Sequence, residues 1–254
     1  MFAPRFLNMS HYYHFYFKQI VYKIYTMNIA IVLAAGKSER LNDINVPKQL
    51  YLLNNVPLFM YSVLTFNNLE DIDEVYVVTN EECYKQIDQY LNLYHLEKVK
   101  GIILGGASRQ ESVYNALKKL EESGVKDDAI ILIHDAARPL MDRSIVLDNI
   151  AGVKMYDAVT TAIKVKDTII KGDETLDGFV DRNALYQAQT PQSFRYKIIK
   201  DAHDNALNKK LENMTDDSAL VKENGQPVHI VKGTTANFKV TTIDDLKLLE
   251  MIAL

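Results

Sequence analysis

Cysteine is nearly missing from this chain of 254 residues. Cys83 stands alone, so no internal disulfide can form, and a reducing cytoplasm suits such a chain. Long apolar runs are missing as well. The nearest approach lies in residues 1–26, where Ser10, His11, His14, Lys18 and Gln19 interrupt every candidate run. That pattern fits neither a secretory signal nor a bilayer span, and no membrane association is expected. Positive charge is not in excess. The formal net charge of −4 gives no general attraction for nucleic acid, and no nucleic-acid partner is expected. Repeats, low-complexity tracts and interdomain linkers are absent too, so one large domain with a real core is the simplest organisation.

Residues 1–26 lack acids altogether. They carry a concentration of Phe and Tyr, and Arg5, Lys18 and Lys23 are their only charges. A strand-like run opens at Met27. Residues 1–26 therefore read as an aromatic-rich extension, disordered or an upstream artefact, and residues 27–254 as the domain proper.

From residue 28 short apolar runs alternate with amphipathic stretches. Strands are predicted over 28–33, 74–79, 99–104 and 129–133, with helices over 57–68, 81–93 and 108–123. Runs of four to six apolar residues suit a sheet covered on both faces. Their alternation with helices predicts an α/β fold, a doubly wound and mostly parallel sheet. In such sheets ligands sit beyond the carboxyl ends of the strands, which directs attention to residues 34–48, 105–112 and 134–139. The stretch 163–186 breaks the pattern with two turn signals, Lys171-Gly172-Asp173 and Asp177-Gly178. It reads as a protruding β-arm. Helices near 196–207 and 216–224, a strand at 228–231 and a helix from 243 complete the chain.

Two common phosphate-binding patterns are missing. Leu33-Ala34-Ala35-Gly36-Lys37-Ser38-Glu39-Arg40, followed by Val46-Pro47-Lys48-Gln49, contains neither a closing Gly-Lys-Ser/Thr triplet nor the three spaced glycines of a dinucleotide site. It does offer small residues after a buried strand, which let backbone N–H groups approach a phosphate. Arg40 and Lys48 add a forked and a mobile cation to the same turn. No Ser-His-Asp or paired-carboxylate constellation is evident. His134 reads as a packed, hydrogen-bonded residue and Cys83 as a silent thiol. Thr215 suits a helix N-cap as well as a ligand contact, and Asp244-Asp245 suit the first turn of the last helix.

Taken together, the motifs resemble those of the sugar-phosphate cytidylyltransferases. The resemblance runs through the segment just quoted, then Gly105-Gly106-Ala107-Ser108-Arg109-Gln110-Glu111-Ser112-Val113 and His134-Asp135-Ala136-Ala137-Arg138-Pro139. It continues through Val180-Asp181-Arg182, Gln189-Thr190-Pro191-Gln192-Ser193-Phe194, Thr215-Asp216-Asp217 and Asn237-Phe238-Lys239-Val240-Thr241, covering the chain from about residue 27 to its end. What it implies is a Rossmann-like nucleotidyltransferase that moves a cytidylyl group from CTP to a sugar-alcohol phosphate. Arg40, Lys48, Arg182 and Lys239 would be the catalytic cations. Ala34, Ala35, Gly36, Gly105, Gly106, Ser112, Asp135 and Ala136 would bind CTP. Arg138, Thr168, Thr190 and Thr215 would bind the acceptor. Mg2+ or another divalent cation would ride on the triphosphate, with Asp135 as its protein ligand. The resemblance also implies a homodimer joined through the arm, whose Arg182 and Thr168 would serve the neighbouring site. Methylerythritol phosphate is the acceptor implied, with ribitol 5-phosphate as the alternative. Ala137 and the Lys166-Asp167-Thr168 run favour the former.

Overall fold

The computed structural model describes residues 26–36, 46–211, 214 and 216–252. Strands β1 (Asn28–Ala34), β4 (Glu74–Thr79), β5 (Val99–Leu104) and β6 (Ile130–Asp135) alternate with helices α1 (Leu58–Asn67), α2 (Glu81–Tyr94) and α3 (Arg109–Glu122). A short hairpin of β2 (Leu52–Leu53) and β3 (Val56–Pro57) precedes α1. Helix α4 (Arg143–Tyr156) and β7 (Ala158–Lys164) follow β6, then the ribbon β8 (Ile169–Gly172) and β9 (Leu176–Val180). The chain continues through β10 (Tyr186–Arg195), α5 (Tyr196–Asn208), α6 (Asp217–Glu223), β11 (His229–Lys232) and α7 (Ile243–Ile252).

Seven strands form one sheet in the order β11-β7-β10-β6-β1-β4-β5. All pairings are parallel except those of β10, which runs antiparallel to both β6 and β7. The period of two along β1 decides which layer each residue joins. Ala30 and Val32 face Phe59, Val63 and Phe66 of α1, with Ile87 of α2 and Val146 of α4 in the same layer. Ile29 and Ile31 face the other way, toward Val113 and Leu117 of α3 and Ile199 of α5. A third cluster, Leu53, Leu58, Val240, Leu246 and Leu249, packs α7 against the hairpin and the start of α1. That hairpin turns on Asn54 and Asn55, both at positive φ (49° and 63°), as a two-residue loop of the type I′ kind requires.

The mostly parallel, doubly wound sheet and the early elements agree with the sequence-based expectation to within a residue or two. Two points differ. The arm leaves the sheet only after Lys164, because β7 pairs with β10 as far out as Lys164↔Tyr186, so the ribbon proper is β8–β9. Helix α4 and the antiparallel β10 have no counterpart in the sequence-based expectation. Strand β10 carries Gln189, Gln192 and Ser193 at buried positions, which conceals its apolar period.

Those polar residues are explained by a network between α4, β7 and β10. Asn149 is fully buried and donates from Nδ2 to Ile145 O (2.8 Å) and Thr161 Oγ1 (2.9 Å). Thr161 Oγ1 donates to Pro191 O at 2.7 Å, and Ser193 Oγ to Asn149 Oδ1 at 2.9 Å. Each group is satisfied only while the others are present. Asn149→Leu keeps the branched shape but strands the Ser193 hydroxyl; we expect a loss of roughly 1–3 kcal/mol per buried group left unpaired, measured by urea denaturation.

Candidate active site

An open cleft of about 520 Å3 lies at the carboxyl ends of β1 and β6. Residues 33–36, 106–109 and 135–137 line it, joined by Lys48, Gln49, Ser112, Lys239 and Thr241. Each lining segment is fixed by the element it leaves. The Ala136 N–H donates to Leu33 O (3.0 Å), which ties the turn after β6 to the end of β1. Asn80 Nδ2 reaches Ala35 O at 3.4 Å. At Gly36, which lines the cleft, no described residue lies within 4 Å of where a Cβ would stand.

The loop between β5 and α3 is tight. A Cβ on Gly105 would come within 2.7 Å of Ser112 Oγ and 2.9 Å of Ala35 Cβ, and one on Gly106 within 2.2 Å of Glu111 Cγ. Gly105 is therefore sterically required, whereas a side chain at Gly106 would displace the flexible Glu111 side chain. Ser112 Oγ accepts from Gly106 N (3.1 Å) and donates to Ser108 O (2.9 Å). Ser108 caps α3 by accepting from Glu111 N, while Glu111 Oε2 accepts from Ala107 N at 2.7 Å. This is a close variant of the reciprocal capping box, and it sets the first turn of α3 against the cleft.

The electrostatic centre is Asp135. Arg109 Nε reaches its Oδ1 at 3.3 Å, and Lys239 Nζ its Oδ2 at 2.7 Å. Burial would push this carboxyl up, but the Arg109 and Lys239 charges outweigh it and hold it well below the usual carboxylate range. Arg109 also donates from Nη1 to Asp217 Oδ2 at 2.7 Å. Burial alone would lower the guanidinium's pKa; the two carboxylates more than compensate and raise it. Lys48 Nζ donates to Val240 O at 2.9 Å, which ties the turn after β1 to the segment carrying Lys239.

Beneath Asp135 sits His134, fully buried. Its Nε2 must donate to Arg138 O (3.1 Å), because a carbonyl only accepts. Its Nδ1 is then the acceptor for the Thr190 hydroxyl at 3.0 Å, and Thr190 Oγ1 in turn accepts from Asp135 N at 3.1 Å. Burial drives the imidazole pKa down to about 4, against smaller opposing contributions led by the neighbouring Asp135 charge. The ring is neutral at pH 7, in a structural role.

Of the residues singled out in the sequence, Ala34, Ala35, Gly36, Lys48, Gly106, Ser112, Asp135, Ala136 and Lys239 line this one cleft, with Gly105 packed directly behind them. Arg138 and Thr190 lie below it and are buried. Arg138 donates to Asn237 O (2.8 Å) and Ala188 O (3.2 Å), which steadies the segment before Lys239. Thr168 and Arg182 stand exposed on the arm, where Arg182 Nη1 donates to Lys166 O. Arg40 and Thr215 lie outside the described residues. The N-cap of α6 is Asp216, which accepts from Ser218 N and Ala219 N, so that position is not Thr215's. Asp245, in the first turn of α7, accepts from Thr241 N and Thr242 N, both at 2.8 Å, while its own N–H donates to Thr242 Oγ1 at 3.2 Å, a capping box. Arg109 was overlooked as a site residue. It stands inside a quoted motif, but its partners are 26 and 108 residues away, and no local pattern announces them.

Among the described residues no three metal-ligating side chains gather. The described side chains alone do not form a site for a divalent ion. An ion carried in by a triphosphate fits, since Mg2+ is commonly held by one or two carboxylates plus substrate phosphates, and Asp135 presents an ionised carboxylate at the cleft.

Residues 28–253 match the family model described as IspD: 2-C-methyl-D-erythritol 4-phosphate cytidylyltransferase. The chain is 41% identical over 231 residues to the enzyme of that name from Clostridium novyi, a match spanning 89% of this chain and 96% of the relative. It is 38% identical over 230 residues to that of Clostridium botulinum, with the same shares covered. The crystal structure of 2-C-methyl-D-erythritol 4-phosphate cytidylyltransferase (IspD) from Francisella tularensis superposes with a TM-score of 0.74 at 26% identity, covering 90% of this chain and all of that one.

His134 yields a pH prediction. Its pKa is near 6.5 unfolded and about 4 folded, so the unfolded chain binds the extra proton first as pH falls. The native state has its full advantage above about 6.5 and loses roughly 3 kcal/mol of it between there and pH 4. Urea titrations across that window should show this loss, and His134→Gln, which keeps a donor toward Arg138 O, should remove that part of it.

Proposed function

The chain belongs to the 2-C-methyl-D-erythritol 4-phosphate cytidylyltransferase family, and from that premise we propose how its cleft carries out the transfer. The enzyme moves CMP from CTP to 2-C-methyl-D-erythritol 4-phosphate, giving 4-diphosphocytidyl-2-C-methyl-D-erythritol and pyrophosphate, a step of the non-mevalonate route to isoprenoid precursors. Ribitol 5-phosphate is not favoured as acceptor. The relatives are named for methylerythritol phosphate, and Ala137 and the Lys166-Asp167-Thr168 run point the same way.

One observation carries the reading of the cleft: Lys48, Lys239 and Arg109, from well-separated parts of the chain, line one cavity around the Asp135 carboxylate. Two polyanions must meet there. A phosphate monoester has a second pKa of about 6, so the acceptor is already largely dianionic at neutral pH and needs no general base. Its oxygen attacks the α-phosphorus of CTP, a new P–O bond forms, the bond to the β-phosphate oxygen breaks, and pyrophosphate leaves. Such a step is governed by positioning and charge. The open backbone at 34–36 cradles the triphosphate, with Lys48 and Arg40 as its cations. Gly106 and Ser112 meet the cytosine edge, with Gly105 packed behind them, and Asp135 and Ala136 lie by the ribose. Lys239 reaches between the two substrates. Asp135 would hold Mg2+ carried in on the triphosphate, and the ion would supply neutralisation of phosphate charge.

The acceptor side is completed by Arg182, Thr168 and Thr215, with Arg138 and Thr190 supporting that side of the cleft. The enzyme works as a homodimer joined through the β8–β9 arm, so that Arg182 and Thr168 serve the neighbouring site. A two-stranded ribbon cannot bury its own faces, and Ile170 (62%), Leu176 (58%) and Phe179 (71%) stand exposed on this one. Apolar side chains gathered in this way mark an interaction surface.

Pyrophosphate release from CTP with each acceptor in turn tests the reaction: turnover is expected with methylerythritol phosphate, and turnover with ribitol 5-phosphate alone would reject it. Lys48→Ala should lower kcat by about 100- to 1,000-fold with an unchanged circular-dichroism spectrum. Light scattering should give a dimer mass that Phe179→Asp reduces to the monomer; a monomeric parent protein would defeat the assembly. Arg182→Ala should raise KM for the acceptor and leave that for CTP unchanged.

A further inference from the structure

Arg109 lines the cleft but has no assigned part in the transfer, and a buried chain of polar side chains stands behind it. Its strongest partner is Asp217, in the first turn of α6, at 2.7 Å. Asp217 is only 1% exposed, an expensive place for a charge. It is held from two further sides. Its backbone N–H donates to Gln192 Oε1 (3.1 Å), and its Oδ1 faces His203 Nε2 at 3.3 Å. His203, itself 1% exposed, stacks on Tyr114 with centroids 6.2 Å apart and planes 12° apart.

The distances set a competition. A guanidinium next to a carboxylate prefers two parallel hydrogen bonds. Arg109 does not make them to Asp135. It gives Asp135 one long contact, Nε to Oδ1 at 3.3 Å, and commits Nη1 to Asp217. The shorter bond draws the fork away from Asp135 and leaves Oδ2 to the Lys239 ammonium at 2.7 Å. Without the Asp217 charge, the fork is free to close on Asp135 and contest Oδ2 with Lys239.

We propose that Asp217, steadied by His203, is a positioning residue for the transfer: it restrains Arg109 so that Asp135 stays divided between two cations and Lys239 keeps its place in the cleft. This rests on the cytidylyl-transfer reading above. Asp217 touches no substrate; it acts through Arg109.

Asp217→Asn removes the charge at nearly constant shape. Steady-state kinetics should show kcat falling roughly 10- to 100-fold, the scale of a small misplacement of a reacting group, with KM for CTP within about two-fold of the parent. In an Arg109→Lys background, where no fork remains, the same substitution should cost less than about two-fold, the non-additivity expected of residues acting as a unit. A folded Asp217→Asn enzyme with parental kcat overturns the proposal. So does an equal cost in both backgrounds, or a loss confined to KM for CTP. If Asp217→Asn does not fold, as judged by its melting curve, His203→Gln carries the same comparison, because it keeps a donor toward Oδ1 and loses the ring stack. A parent protein without turnover on CTP and methylerythritol phosphate would count against the reaction itself, and the two failures are thereby told apart.

Discussion

One buried carboxylate organises the catalytic end of this molecule. Asp135 ends a central strand, and its two oxygens accept from cations that arrive with α3 and with the segment after β11. A carboxylate in that position is tolerable only while both partners are in place, since an unpaired buried charge costs several kcal/mol. The reverse also holds. Lys239 and Arg109 would repel each other at the mouth of an apolar sheet if no negative group lay between them. The cleft is a balance of charge set up by the protein's own side chains, and its cations are already fixed in direction.

The layers beneath serve that arrangement. The bulged stretch of β10 between Ala188 and Gln192 brings Thr190 to the Asp135 backbone, and the neutral His134 ring passes the connection on to Arg138. Arg138 then grips Asn237, two residues before Lys239. The third sequence motif thus divides between residues that face the cleft and residues that hold those residues still. Bulges beside active sites commonly re-aim a side chain in this way.

Much of this was legible in the sequence, and for identifiable reasons. The early βα alternation is readable because strands buried on both faces are continuously apolar, as at 29–32 and 130–133. The glycines at 105 and 106 and the cations at 48 and 239 stand in motifs whose chemistry requires small residues and positive charge near phosphate. What stayed hidden depends on pairing at a distance. Gln192 and Ser193 look unlike a central strand until their partners Asp217 and Asn149 are known. Arg109 looks like any first-turn residue until Asp217 is placed beside it. The arm was read as starting too early because Lys164 and Tyr186, both polar-ended, pair as the last rung of the main sheet.

The bond from Lys48 to the Val240 carbonyl joins the earliest described cation of the cleft to a residue near the end of the chain. Synthesis proceeds from the amino terminus, and domains generally fold as units along the way. Until residues 239–252 have been made, Lys48 therefore has neither Lys239 nor the α7 buttress available. The two partners stand 192 residues apart, so this single bond closes a long loop, and the shape of the cleft depends on the whole intervening fold being in place.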